Sequence, residues 1–108
     1  MSIYFKEIEE NMSVHFLDKL DDAREYANIP FHINSAYRTK EHNAKIGGKP
    51  NSSHLKGLAV DIKATDSRTR FLVLQALISV GFNRIGIAKT FIHVDDDESK
   101  SKEVAWLY

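Results

Sequence analysis

Apolar positions along the chain recur first at helical and then at strand spacing. From Ser13 to Ala27, Val14, Leu17, Leu20, Ala23 and Ala27 follow one another at three- and four-residue steps, which predicts an amphipathic helix. Ser13 is its N-cap, and Asn28-Ile29-Pro30 stops it. Phe31-His32-Ile33-Asn34-Ser35 alternates apolar and polar, the period of a short strand. Thr39 to Ile46 reads as a short helix ended by Gly47-Gly48, followed by the turn-rich loop Lys49-Pro50-Asn51-Ser52-Ser53. Leu58-Ala59-Val60-Asp61-Ile62 reads as a strand buried on at least one face. Asp66 or Ser67 caps a helix reaching Val80, with Phe71, Leu74, Leu77 and Ile78 expected inward and Gly81 as its stop. Arg84 to Ala88 and Phe91 to Asp95 form two strands, antiparallel about a tight connection at Lys89-Thr90.

This order predicts an α+β fold: a small, mainly antiparallel sheet with helices packed on one side. A length of 108 residues allows one domain, residues 1–108, with a single modest core. Fifteen basic and fifteen acidic residues cancel, so the footprint of a nucleic-acid-binding protein is missing. No apolar run approaches the length of a membrane span, and MSIYFKEIEEN lacks the basic and apolar regions of a signal peptide; neither membrane insertion nor self-export is expected. With no cysteine, a metal site must be built from His, Asp and Glu.

Two segments place ionisable groups where an apolar strand has no structural use for them. Asp61 lies within Leu-Ala-Val-Asp-Ile, seven residues after His54, with Gly57 allowing the chain to turn sharply between them. A carboxylate buried there needs a cation, a charged partner or several donors. His93 lies within Phe-Ile-His-Val-Asp, where period-two alternation puts His93 and Asp95 on one face and Ile92 and Val94 on the other. Two histidines and a carboxylate with one position open are a catalytic zinc set. Hydrogen-bonded core residues give the same pattern, and spacing alone does not choose between them.

The wording of the segments goes further. Ser35-Ala36-Tyr37-Arg38, Asn43-Ala44-Lys45-Ile46-Gly47-Gly48, the run from Asn51 through Ser52-Ser53-His54-Leu55-Lys56-Gly57-Leu58-Ala59-Val60 to Asp61, and Phe91-Ile92-His93-Val94-Asp95 resemble the zinc D-alanyl-D-alanine carboxypeptidase family. That family includes murein endopeptidases and phage endolysins. Every fixed position of Ser-x-His-x-x-Gly-x-Ala-x-Asp is matched, over roughly residues 30 to 95. The resemblance implies a single zinc ion held by His54, Asp61 and His93 in a cleft on the sheet. It implies that Arg38 faces the substrate, where a guanidinium can hold a carboxylate or a forming oxyanion. Ser52 stands on the substrate side too, hydrogen-bonding within its loop to orient His54.

One position departs from the pattern. Several branches place Glu or Asp three residues before the last histidine as the general base, and Thr90 stands there. Asp95 is then the carboxylate on the correct face, either activating water or orienting His93. His15 and His32 are read as structural, and His42 as exposed. Trp106, Leu107 and Tyr108 are read as packing the C-terminus against the sheet, with a wall of the cleft as the other use. The resemblance thus implies hydrolysis of peptidoglycan stem peptides by a monomer acting at the cell wall or periplasm. Release as a phage endolysin or export by a signal outside the given sequence would each bring it there. Two alternatives stay open: a non-catalytic zinc domain, since signalling domains share this scaffold, and a module that binds the wall without cutting it.

Overall fold

A computed structural model of the chain describes residues 2–108. Three helices, α1 (Val14–Ala27), α2 (Lys40–Lys45) and α3 (Ser67–Ser79), accompany five strands: β1 (Ile33–Ser35), β2 (Ala59–Lys63), β3 (Arg84–Ile87), β4 (Phe91–Asp95) and β5 (Val104–Leu107). Two 3-10 turns, Lys6–Ile8 and Ser53–Lys56, complete the elements. Helix ends follow local chemistry. The side chains of Ser13, Thr39 and Asp66 accept from the backbone N–H three residues on, at Phe16, His42 and Thr69. Asn28 closes α1 in the left-handed conformation, and Gly81, at φ +100°, follows α3.

The sheet order is β1-β2-β4-β3-β5, antiparallel except for the β3–β5 pair. The α+β expectation with helices on one side therefore holds. One sheet face carries Val60, Ile62, Ile85, Ile92 and Val94, which join Phe16, Leu17 and Leu20 of α1 and Val73, Ala76 and Leu77 of α3 in the core. Each large side chain so buried contributes about 1.5–3 kcal/mol. Because strand residues alternate, the neighbours Asp61, Gly86 and His93 lie on the opposite face, away from the core built with α1 and α3.

Four readings change. Phe71 and Ile78 are 61% and 62% exposed: the inward stripe of α3 runs through Val73, Ala76 and Leu77, and residues 71 and 78, seven apart, share an outer face. Val14 points outward on α1, and Phe16 takes the core position. His15 and His32 are both exposed and support no packing, while His42 is exposed as expected. The C-terminal residues form a fifth strand, paired in parallel with β3 as a sheet edge. Val-Ala-Trp-Leu is apolar throughout, so no alternation announces it as a strand.

Candidate metal centre

His54, Asp61 and His93 come together although they are far apart in sequence. Asp61 and His93 are direct cross-strand neighbours on β2 and β4. His54 arrives from the Ser53–Lys56 turn, which the chain makes by placing Gly57 at φ +70° directly against the Asn11 carbonyl; a Cβ there would lie 2.0 Å from that oxygen. The Ser13 amide bonds the Gly57 carbonyl (2.9 Å) and the Arg38 amide bonds the His54 carbonyl (3.1 Å), fixing the turn to the body. One ligand atom from each of the three residues lies within 4.8 Å of the other two.

A backbone carbonyl assigns the His54 imidazole. His54 Nδ1 meets the Ala36 carbonyl at 2.8 Å and must donate to it, which leaves Nε2 a lone pair 3.2 Å from Asp61 Oδ1. His93 stands between two carboxylates: Nε2 meets Asp95 Oδ2 at 2.7 Å and Nδ1 meets the same Asp61 oxygen at 2.9 Å, so a proton on either nitrogen finds an acceptor. With both rings neutral and the His93 proton on the Asp95 side, three acceptors converge on one point. Only protons or a cation can stabilise that arrangement, and the donor set of two imidazole nitrogens and a carboxylate oxygen fits zinc. Burial alone would push the Asp61 carboxyl up; when no metal is present and a proton sits on the facing nitrogen, the hydrogen bonds from His54 and then His93 outweigh burial and hold the carboxyl well below the usual carboxylate range. Burial likewise pulls His93 down, but the carboxylates of Asp61 and Asp95 raise its pKa above the ordinary imidazole value.

Around the cluster, side chains hold one another in place. Arg38 spends three nitrogens on Ser35 Oγ (3.0 Å), Asn43 Oδ1 (3.2 Å) and Asp61 Oδ2 (3.3 Å). Asp95, 1% exposed, accepts from His93 on one oxygen and from Arg84 Nε (2.6 Å) and the Asp97 amide (3.2 Å) on the other. Burial pushes its carboxyl up, and the bonds from His93 and Arg84 more than reverse this, keeping it ionised. Ser52 caps the turn by accepting from the His54 amide at 3.2 Å. Thr90 lies in the β3–β4 connection and is exposed.

An open cleft of about 550 Å³ runs over the cluster. Arg38, Ser52 and Asp95 all line it, so every site residue read from the sequence meets in one place. Lys49 and Lys100 stand along its lining with Phe91, Trp106 and Tyr108. The Trp106 ring lies 5.6 Å from that of His93, and the Arg84 guanidinium sits 5.1 Å over the indole. Gly86 makes this possible: it pairs with His93 on one side and Trp106 on the other, and a Cβ on it would come within 2.6 Å of the indole nitrogen. Trp106 and Tyr108 thus pack over the sheet and wall the cleft at once.

Sequence reasoning missed Asn43, Arg84 and Gly86 as parts of this arrangement. The available signal for Asn43 was its place at the head of a segment that carries the resemblance; nothing in the local pattern marks the other two. The family model described as Peptidase M15 matches residues 4–95, which include Arg38, His54, Asp61, His93 and Asp95. No curated protein matches the chain.

Proposed function

Because the chain belongs to the peptidase M15 family, that of the zinc D-Ala-D-Ala carboxypeptidases, it is a metallopeptidase with a peptide substrate, and we propose that it hydrolyses amide bonds in peptidoglycan stem peptides. The observation that carries the reading is the convergence of His54 Nε2, Asp61 Oδ1 and His93 Nδ1, with His54 held by the Ala36 carbonyl in the tautomer a metal needs and the far side of His93 set against the Asp95 carboxylate. His54, Asp61 and His93 are the residues to hold one zinc ion. When bound, zinc supplies a Lewis acid that polarises an amide carbonyl and makes water a nucleophile at neutral pH.

The chain's own residues then do the rest. Arg38 is fixed by Ser35, Asn43 and Asp61 at the lining of the cleft, so its charge faces substrate without having to be reorganised. It stabilises the negative charge that develops on the carbonyl oxygen, or grips a terminal carboxylate. Asp95 orients His93: both its oxygens are already engaged, which favours holding the imidazole over taking a proton from water. Ser52 sets the backbone of the His54 turn. Among the described residues no helix is long and apolar enough to cross a membrane, and the site of action we propose is the cell wall or periplasm.

The test is purified protein on purified peptidoglycan, with and without a chelator, alongside its metal content. About one zinc per chain, with chelator-sensitive release of amines or D-alanine, is the expected result, and His54→Ala should lose both. An active, metal-free His54→Ala protein would end the reading. One observation favours a second reading, a non-catalytic zinc domain: among the described residues the only acids lining the cleft, Asp61 and Asp95, are both tied to partners, and Thr90 is no acid. Zinc bound without hydrolysis would select it.

A further inference from the structure

We propose that Asp97, together with Ser53, is a positioning residue that sets the distance between the two histidines of the cluster. Neither residue belongs to the three-atom cluster, yet both are 2% exposed. The His54 turn has no strand partner. On one flank it is held by the backbone bonds to Ser13 and Arg38 already described. On the other flank it is held through Ser53, whose hydroxyl donates to Asp97 Oδ2 at 2.8 Å.

From Asp97 the connection continues to the other histidine. The Asp97 amide donates to Asp95 Oδ1 at 3.2 Å, and Asp95 Oδ2 receives His93 Nε2 at 2.7 Å. A continuous polar chain therefore runs from the residue beside His54, through Asp97 and Asp95, to the imidazole of His93. The Asp97 carboxylate has no freedom to drift. Its Oδ1 also receives Lys56 Nζ (3.1 Å), the Ser99 amide (3.1 Å) and the Ser99 hydroxyl (2.6 Å), and Lys100 Nζ stands 3.7 Å from Oδ2. Lys100 in turn donates to the Asn51 carbonyl (2.7 Å) and to Ser53 Oγ (3.0 Å), closing the loop from a second direction. A buried carboxylate held by four hydrogen bonds and faced by two lysines keeps one geometry. Ligand spacing sets metal affinity, and outer partners of ligands typically carry a factor of 10–100 in it.

The inference rests on the reading of His54 as a zinc ligand. Its test is the zinc dissociation constant of Ser53→Ala, measured by competition with a chromophoric chelator well below the unfolding temperature of the metal-free protein. Ser53→Ala removes one hydroxyl and leaves Asp97 with its two lysines, so it folds where Asp97→Asn, with two facing cations uncompensated, can fail to. The expected result is a loss of zinc affinity of about tenfold. Val73→Ala, a truncation on the helix-facing side, is the control: it should lower the metal-free melting temperature and leave zinc affinity as it was. If Ser53→Ala behaves like Val73→Ala, the Asp97 connection is only a structural clasp and the inference falls while the ligand reading stands. A wild-type protein that takes up no zinc overturns both.

Discussion

Replacing Asp95 by Asn keeps the volume and changes who can donate to whom. The carboxylate receives three hydrogen bonds, from His93 Nε2, Arg84 Nε and the Asp97 amide. An Asn side chain offers one acceptor oxygen and one donor nitrogen. Arg84 and the Asp97 amide are donors in every state and share one oxygen, so the Asn oxygen takes their side and its NH2 turns to His93. The imidazole must then accept at Nε2 and carry its proton on Nδ1, pointing at Asp61 Oδ1 only 2.9 Å away. The lone pair needed for a metal is gone in that tautomer. Loss of such an outer partner costs 10–100-fold in metal affinity, about 1.4–2.7 kcal/mol. The fold loses less than a stranded charge would cost, because Arg84 keeps the Ser101 carbonyl and the face of Trp106. About 1.5–3 kcal/mol, one charge-assisted hydrogen bond, is the expected destabilisation. The assay is zinc competition against a chelator, paired with kcat and KM at saturating zinc. Weaker zinc binding with activity partly restored by excess zinc is expected. Unchanged affinity with hydrolysis abolished at saturating zinc would refute the reasoning and make Asp95 the group that moves the proton.

Two further predictions concern the cleft wall and pH. Gly86→Ala puts a Cβ 2.6 Å from the Trp106 indole nitrogen and 2.7 Å from the Tyr108 ring, so both rings must leave the wall, at about 1–3 kcal/mol. Trp106 is the single tryptophan, and its emission should respond to zinc in the wild type through His93 and far less in Gly86→Ala, with KM raised; identical responses would remove Trp106 from the site. For pH, the lowered folded-state pKa of Asp61 gives stability present above the unfolded carboxylate value of about 4 and lost as acid is added. The raised pKa of His93 gives stability complete below the unfolded imidazole value of about 6.5 and lost as pH rises through the folded value. Metal-free protein should therefore melt highest at about pH 5–6, and zinc, which displaces the protons, should shift that maximum upward. Melting curves across pH with and without zinc check it; a metal-free midpoint that climbs steadily above pH 7 would contradict it.

The local pattern determined what local physics controls. Helix starts at Ser13 and Asp66, the turn at Gly57 and the period-two strands around Asp61 and His93 each depend on neighbours a few residues away. Asp61 and His93 were legible for a related reason: an ionisable group inside an apolar strand demands a partner wherever that strand is placed, whereas His54, in a turn, was marked by the resemblance of its segment. Direction on α3 was not, since Phe71, Leu74, Leu77 and Ile78 form as good a helical stripe as the buried one, and only packing against α1 selects Val73, Ala76 and Leu77. Nor could sequence join Ser53 to Asp97, 44 residues on, or seat Trp106 against His93, because these contacts exist only once β2, β4, β3 and β5 lie in that order. Which residues can share a face with a metal follows from residue type and strand period; which of their atoms face it, and how firmly each is held, follows from register and tertiary contact, because hydrogen bonds between distant segments leave no periodic trace in the chain.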